Sequence, residues 1–201
     1  MCYSQFSLED IETNLGITFA KEVGLFANCP EIEYSELLEN ILQYNIPLAL
    51  EINSQKARSE MIISPILIEL KKQLCDRISL FSGREFNVES EKGLNGFCDF
   101  IISLSPEQLF IKAPVFALVE AKNDNIQSGL AQCMAEMVAA QLFNDRHNQN
   151  IKKIYGAVTT GTNWKFMQLE GKVISIDLNE YFLNNVGKIL GILRSGIESN
   201  I

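Results

Sequence analysis

Residues 116–124 read FALVEAKND, and the placement of this run decides the fold. Five apolar residues, beginning at Val115, lead directly into a glutamate, an alanine and a lysine. Alternation along a strand turns every second side chain to the same side. Glu120 and Lys122 therefore share a face with Phe116 and Leu118, while Val119 and Ala121 look the other way. The run reads as a core strand whose last residues set an acid and a base side by side.

Working outward, two further runs carry strand character. ISLFSGREFNVES (78–90) and GFCDFIISLS (96–105) flank the turn-rich EKGLNG, which predicts a hairpin preceding FALVEAKND. After it, SGLAQCMAEMVAAQLFN (128–144) predicts a helix with Ser128 as its cap. KKIYGAVTTG and NWKFMQLEG form a second strand pair joined by GTN, KVISIDL adds a strand, and NEYFLNNVGKILGILRSG closes the chain as a helix. Upstream, SQKARSEMIISPILIELKKQLCDR (54–77) has Ile62, Ile63, Ile66, Leu67, Leu70 and Leu74 at helical spacing. Pro65 lies inside it and should kink or split the helix near Ser64.

At the start of the chain, SLEDIETNLG predicts a short helix capped by Ser7 and Asp10 and ended at Gly16. SELLENILQYN predicts a second, with Leu37, Leu38, Ile41 and Leu42 on one face and Pro47 past its end. PLALEIN (47–53) then reads as a short strand or an extended approach. The expected fold is α/β, a central mixed sheet flanked by helices, with a crossover helix between the third and fourth strands. An acidic, mainly helical N-terminal extension (1–54) precedes a core spanning 55–201.

Asp99 stands in the middle of the apolar strand GFCDFII, on the side of Phe97 and Ile101. A buried, unpaired carboxylate is costly, so it needs donors, a charged partner or a metal. If its strand lies beside FALVEAKND, Asp99 and Glu120 meet on one face and repel unless a cation sits between them. Mg²⁺ or Mn²⁺ takes oxygen ligands, which two carboxylates and a backbone carbonyl supply. Lys122 is then placed to hold an attacking water or to offset charge on a phosphate. Glu60, on the helix before, can reach the ion through water. Gln132 and Glu136 lie one turn apart on the following helix, and Gln132 completes the candidate set. A structural pairing of Asp99 with Arg84 is the competing reading.

The succession ARSEMIISPILIEL, GFCDFII, FALVEAKND and SGLAQCMAEMVAAQ resembles the PD-(D/E)xK nuclease superfamily, whose fold is that of restriction endonucleases. The resemblance covers roughly residues 55–180. It implies a restriction endonuclease-like core and Mg²⁺-dependent phosphodiester hydrolysis. By motif, Glu60 matches the acid of the first core helix and Asp99 the metal-binding aspartate. Glu120 and Lys122 match the (D/E)xK pair, Ala121 lends its carbonyl to the metal, and Gln132 matches a glutamine found in some members. Cys98 stands where a proline often precedes the aspartate, and the acidic N-terminal segment lies outside the shared core.

Nucleic acid is the implied substrate, with DNA ahead of RNA, and a homodimer is compatible with the same residues. A nonenzymatic binding module on this fold, docking a protein partner through its acidic segment, is the alternative. Charge bears on both readings. Residues 1–55 hold nine acids against one base, Lys21, which accounts for the whole net charge of −8. The remainder carries 16 bases and 16 acids. Such a balance works against nonspecific nucleic-acid binding, which depends on neutralising phosphates.

The N-terminus lacks a basic and apolar leader, and no apolar run approaches the roughly 18 residues that span a membrane. Five widely spaced cysteines with no CxxC pair read as free thiols, and with them a soluble, cytoplasmic protein is expected. The single histidine, His147, falls in the polar loop NDRHNQN, and structural zinc is not expected. Trp164 reads as a packing residue rather than a base-stacking one. Lys152, Lys153 and Lys165 are candidates for phosphate contacts.

Overall fold

The computed structural model describes residues 2–200. Its elements run α1 (Leu8–Thr13), β1 (Thr18–Glu22), α2 (Glu36–Ile52), α3 (Gln55–Arg58), α4 (Ser64–Leu74), β2 (Ser79–Glu85), β3 (Phe97–Ser103) and β4 (Val115–Ala121). There follow α5 (Gln127–Arg146), β5 (Ile154–Thr159), β6 (Asn163–Glu170), β7 (Val173–Asp177), β8 (Tyr181–Phe182) and α6 (Val186–Glu198). The strands form one mixed sheet in the order β1-β7-β6-β5-β4-β3-β2, with β8 paired to β6. β2, β3 and β4 are antiparallel neighbours, as the hairpin spacing requires. β4 and β5 run parallel, joined by the crossover helix α5. The chain is thus α/β with a mixed sheet between two helical layers.

Each face of the sheet is covered by its own apolar layer. On one side Leu130, Met134, Met137 and Val138 of α5 meet Ile101, Leu118, Val158 and Met167. On the other, Leu67 and Leu70 of α4 and Ile189, Leu190 and Leu193 of α6 meet Phe100, Val119, Ala157 and Phe166. Trp164 is fully buried there and donates its indole N–H to the Gly161 carbonyl at 3.2 Å, a packing role. Among the described residues, no helix is long and apolar enough to cross a membrane. All five cysteines are free thiols.

Several expected boundaries move. α2 does not stop before Pro47 but continues through it to Ile52, so PLALEIN is helical rather than extended. Pro47 lies on the exposed side, where water can serve the Gln43 carbonyl that the missing N–H leaves behind. The helix ends instead at Asn53, which adopts the left-handed conformation at φ 49°. Leu38 and Leu42 are buried as expected, whereas Leu37 is exposed. Ser7 and Asp10 cap α1 reciprocally, as their spacing predicts. Ser128 does not cap α5, whose N-cap is Ile126 with no side-chain cap; Asn125, one residue before it, accepts from the Gln127 N–H at 2.9 Å in an Asx turn. The closing helix starts only at Val186, because Tyr181 and Phe182 are used as a strand against β6.

Pro65 acts as its chemistry requires. The turn before it widens into a π-helical segment, Ser59–Ile63, between α3 and α4. The Met61 carbonyl, four residues before the proline, accepts instead from the Asn45 side-chain amide of α2 at 3.0 Å. One bond thereby repairs the helix break and ties α2 to it.

The N-terminal segment holds a strand that its sequence did not suggest. β1 pairs in parallel with β7 at the edge of the sheet. Tyr3, Phe6, Ile11 and Ile17 from this segment pack into the α5 layer.

β4 also departs from simple alternation. Ser103 lies opposite Val115 and Ile102 opposite Ala117, so Phe116 is an extra, bulged residue. Its ring joins the α4/α6 layer, where it meets Tyr155 at 5.8 Å between centroids. Phe116 therefore does not share a face with Glu120. Leu118 does, because the bulge lies behind it.

Candidate active site

The β3–β4 register places Phe100 opposite Val119, so one step further Asp99 comes opposite Glu120. The two strands part at this point. Asp99 Oδ2 accepts the Ala121 N–H at 2.8 Å, a side chain standing in for the next backbone rung. On the other flank, the β2–β3 pairing skips the Gly83–Asp99 rung, and Gly83 takes φ +59°, which glycine adopts without strain. Cys98 and Ile101 both reach the α5 layer although three residues apart, so alternation fails at Asp99. Arg84 lies opposite Cys98 and is not the partner of Asp99.

Glu120 points into the α5 layer and is 2 % exposed. Its Oε1 accepts from Lys122 Nζ at 2.7 Å, and Lys122 Nζ also donates to Gln132 Oε1 at 3.1 Å. Gln132 Nε2 donates in turn to Glu136 Oε1 at 3.2 Å. Four side chains from β4 and α5 thus form one hydrogen-bonded row, Glu120–Lys122–Gln132–Glu136. At each end a carboxylate oxygen, Oε2 of Glu120 and Oε2 of Glu136, is buried without a partner.

The row exists because α5 lies close to β4. A Cβ on Gly129 would fall 2.6 Å from Val158 Cγ1 and 2.9 Å from Lys122 Cε, so the lysine stem passes over a residue that has to be glycine. Gly129→Ala is expected to destabilise the protein by about 1–3 kcal/mol through overpacking, read as a lower urea midpoint. An unchanged midpoint would mean that the helix does not press on Lys122.

Electrostatics follow from burial. Removal from water, with the Asp99 charge beside it, pushes the Glu120 carboxyl up to about 8, against the pull of Lys122. Glu136, fully buried, is raised well above the carboxylate range, chiefly by desolvation and then by Glu120. The Cys98 and Cys133 thiols are raised by burial and by the same two glutamates, so neither is a thiolate at neutral pH.

Asp99 also opens to the opposite side, lining a cleft of about 350 Å³ with Gln55, Lys56, Ser59, Glu60, Ser82 and Gly83. Glu60 comes from the π-helical turn and is exposed, ion-paired to Lys56 at 2.7 Å. The expected residues therefore fall into two groups that meet at Asp99. Glu60 shares the open cleft with it, while Glu120, Lys122 and Gln132 stand behind, joined through Ala121.

Glu136 belongs to this row and was not among the expected site residues. Its signal was an acid inside the Ala- and Met-rich CMAEMVAAQ, a helix stretch buried nearly all round. His147 is an exposed loop residue with Nδ1 at 2.7 Å from the Phe143 carbonyl. Lys165 is buried and donates to the Leu178 carbonyl at 2.9 Å, so it is not a phosphate ligand as folded. Lys153 pairs with Glu170 at 3.7 Å.

Among the described residues, no group of three or more His, Cys, Asp or Glu side chains is gathered as a metal cage. A smaller oxygen set does fit a hard divalent ion. Asp99 lies beside Glu120, whose carboxyl feels its charge, and Glu120 Oε2 is a buried acceptor lacking any donor. A strand residue turns its N–H and C=O to the same side, so the Ala121 carbonyl faces Asp99, to which its N–H is bonded. No protein-family model matches the chain, and no curated protein matches it.

Proposed function

We propose that the protein is a Mg²⁺- or Mn²⁺-dependent nuclease of the PD-(D/E)xK type, hydrolysing phosphodiester bonds in DNA. The observation that carries this reading is that Asp99, bonded to the Ala121 N–H at 2.8 Å, lies next to Glu120, with Lys122 hydrogen-bonded to Glu120 at 2.7 Å. Asp99, Glu120 and the Ala121 carbonyl would hold the cation, with Glu60 reaching it through water from across the cleft. When bound, such an ion supplies Lewis-acid polarisation of a phosphoryl oxygen.

The chain's own residues do the rest. Glu120 and Gln132 each accept one of the three N–H groups of the Lys122 ammonium, so the third stays directed by its neighbours. That donor orients a water or balances negative charge gathering on a phosphate. Gln132, itself held by Glu136, fixes where the ammonium sits. Asp99, bonded to the Ala121 N–H, locks the ends of β3 and β4 together and so keeps both carboxylates in register.

The test is cleavage of plasmid and of labelled single-stranded DNA and RNA with Mg²⁺ or Mn²⁺, joined to calorimetric titration with Mn²⁺. Cleavage is expected with the wild type, along with a Mn²⁺ binding signal that Asp99→Asn loses. If no DNA or RNA is cut with either metal and Mn²⁺ gives no signal, the nuclease reading fails. A nonenzymatic module docking a protein partner is then the reading that remains.

A further inference from the structure

The outer face of α2 is apolar where a solvated helix would be polar. Leu37 is 60 % exposed, Tyr44 77 %, Leu48 40 % and Ile52 49 %, with Ile41 half-buried among them. Their spacing of four, three, four and four residues keeps all five within about 80° of the helix circumference, at roughly 100° per residue. The buried residues Leu38, Leu42 and Ala49 lie about a quarter-turn away. The helix therefore has two apolar stripes: one spent on its own core, the other left to solvent along roughly 24 Å. A continuous stripe of this kind marks an interaction surface rather than scattered exposure.

We propose that this stripe is the docking site of a basic amphipathic helix from a partner protein. The spacing is that of helix-on-helix contacts, in which anchors recur at three and four residues. Charge selects the kind of helix. Glu51 borders the stripe on its solvent side, Glu36 opens the helix one residue before Leu37, and no lysine or arginine occurs between Lys21 and Lys56. A second copy of this chain would bring two such acidic borders together with no base in the segment to offset them, which is unfavourable. A helix with leucine-like anchors on one face and lysine or arginine at its edges satisfies both the stripe and its border. Asn45 fixes the helix that presents the stripe, through its bond to the Met61 carbonyl. The proposal stands apart from the nuclease reading, since none of these residues belongs to the site at Asp99 and Glu120.

The test uses the full chain and three labelled helical peptides of equal length, followed by fluorescence anisotropy. One peptide is Lys/Leu amphipathic, one Lys/Ser with the same charge but no apolar face, and one Glu/Leu with the apolar face but opposite charge. The Lys/Leu peptide is expected to bind at least tenfold more tightly than either control. Tyr44→Ser with Leu48→Ser, which alters no charge on an exposed face, is expected to weaken it at least tenfold with an unchanged melting temperature. Glu36→Gln with Glu51→Gln should weaken it several-fold at low salt. Equal binding of the Lys/Leu and Lys/Ser peptides would overturn the proposal, because charge alone would then explain it. So would a serine double variant that binds like the wild type. A dimer by light scattering that the same serine pair dissolves would assign the stripe to a second copy and overturn the basic partner.

Discussion

Lys122→Met is expected to abolish metal-dependent cleavage while the protein remains folded. The Lys122 side chain is 18 % exposed, and its ammonium contacts the Glu120 carboxylate and the Gln132 amide. Methionine keeps the apolar stem over Gly129 and removes only the charged donor. Loss of one such donor from a preorganised site costs on the order of 10²–10³-fold in rate. Stability moves much less. Glu120 Oε1 loses a donor, which costs about 1–3 kcal/mol for a buried acceptor, softened because Glu120 can keep its proton instead. Lys122→Arg should not restore the rate, since a planar guanidinium cannot aim a third proton where the ammonium does. The measurement is single-turnover cleavage beside a thermal melt. A methionine variant that cuts at the wild-type rate removes Lys122 from the mechanism.

That prediction rests on residues that could be seen in the sequence, and the reason is local. Glu120 and Lys122 lie two apart on one strand, so alternation alone puts them on one face. Gln132 follows from the length of the β4–α5 crossover, which returns a helix to the strand it has just left. What stayed hidden depends on contacts distant in the chain. Pro47 reads as a stop, yet α2 runs through it because the proline faces water and Asn53 offers a left-handed end. β1 is five residues with two charges at its end, and only its pairing with β7 makes it a strand. The bulge at Phe116 reverses that side chain's face, and no residue in FALVEAKND announces it. Glu136 was legible in principle. An acid amid alanine and methionine in a helix with no polar face has nowhere to go but inward. Weighing the polarity of the whole helix, rather than its motif, would have found it.

The two buried glutamates also make the protein's stability fall as pH rises, and Glu136→Gln is expected to remove much of that fall. The folded Glu120 carboxyl titrates at about 8, against 4.5 for an ordinary glutamate. Between those values the folded chain holds a proton that the unfolded chain has released. Stability is then full below about pH 4.5 and declines through the window up to about 8. Each raised carboxyl contributes at most about 1.4 kcal/mol per pH unit there, so the loss from pH 5 to 8 is on the order of a few kcal/mol. Asp10 and Glu69, whose pKa values are lowered, act in the opposite sense, but only below the ordinary carboxylate range. They do not mask the effect. In metal-free buffer the wild type should therefore melt lower at pH 8 than at pH 5. Glu136→Gln keeps an oxygen for the Gln132 amide, removes one titration, and should narrow the difference mainly by raising the melt at pH 8. A wild-type melt that rises from pH 5 to 8 would show that both glutamates are ionised in the folded state. A carboxyl that lowers stability at neutral pH, when an isosteric amide is available, is the kind of group a fold retains for what it does rather than for how it holds together. Glu136→Gln thus separates the two demands. If the variant gains stability and loses cleavage, the row requires the Glu136 carboxyl as a titratable group and not only as an acceptor for Gln132. If it gains stability and cuts as before, the amide suffices to hold Gln132, and positioning by hydrogen bond is all that the row requires.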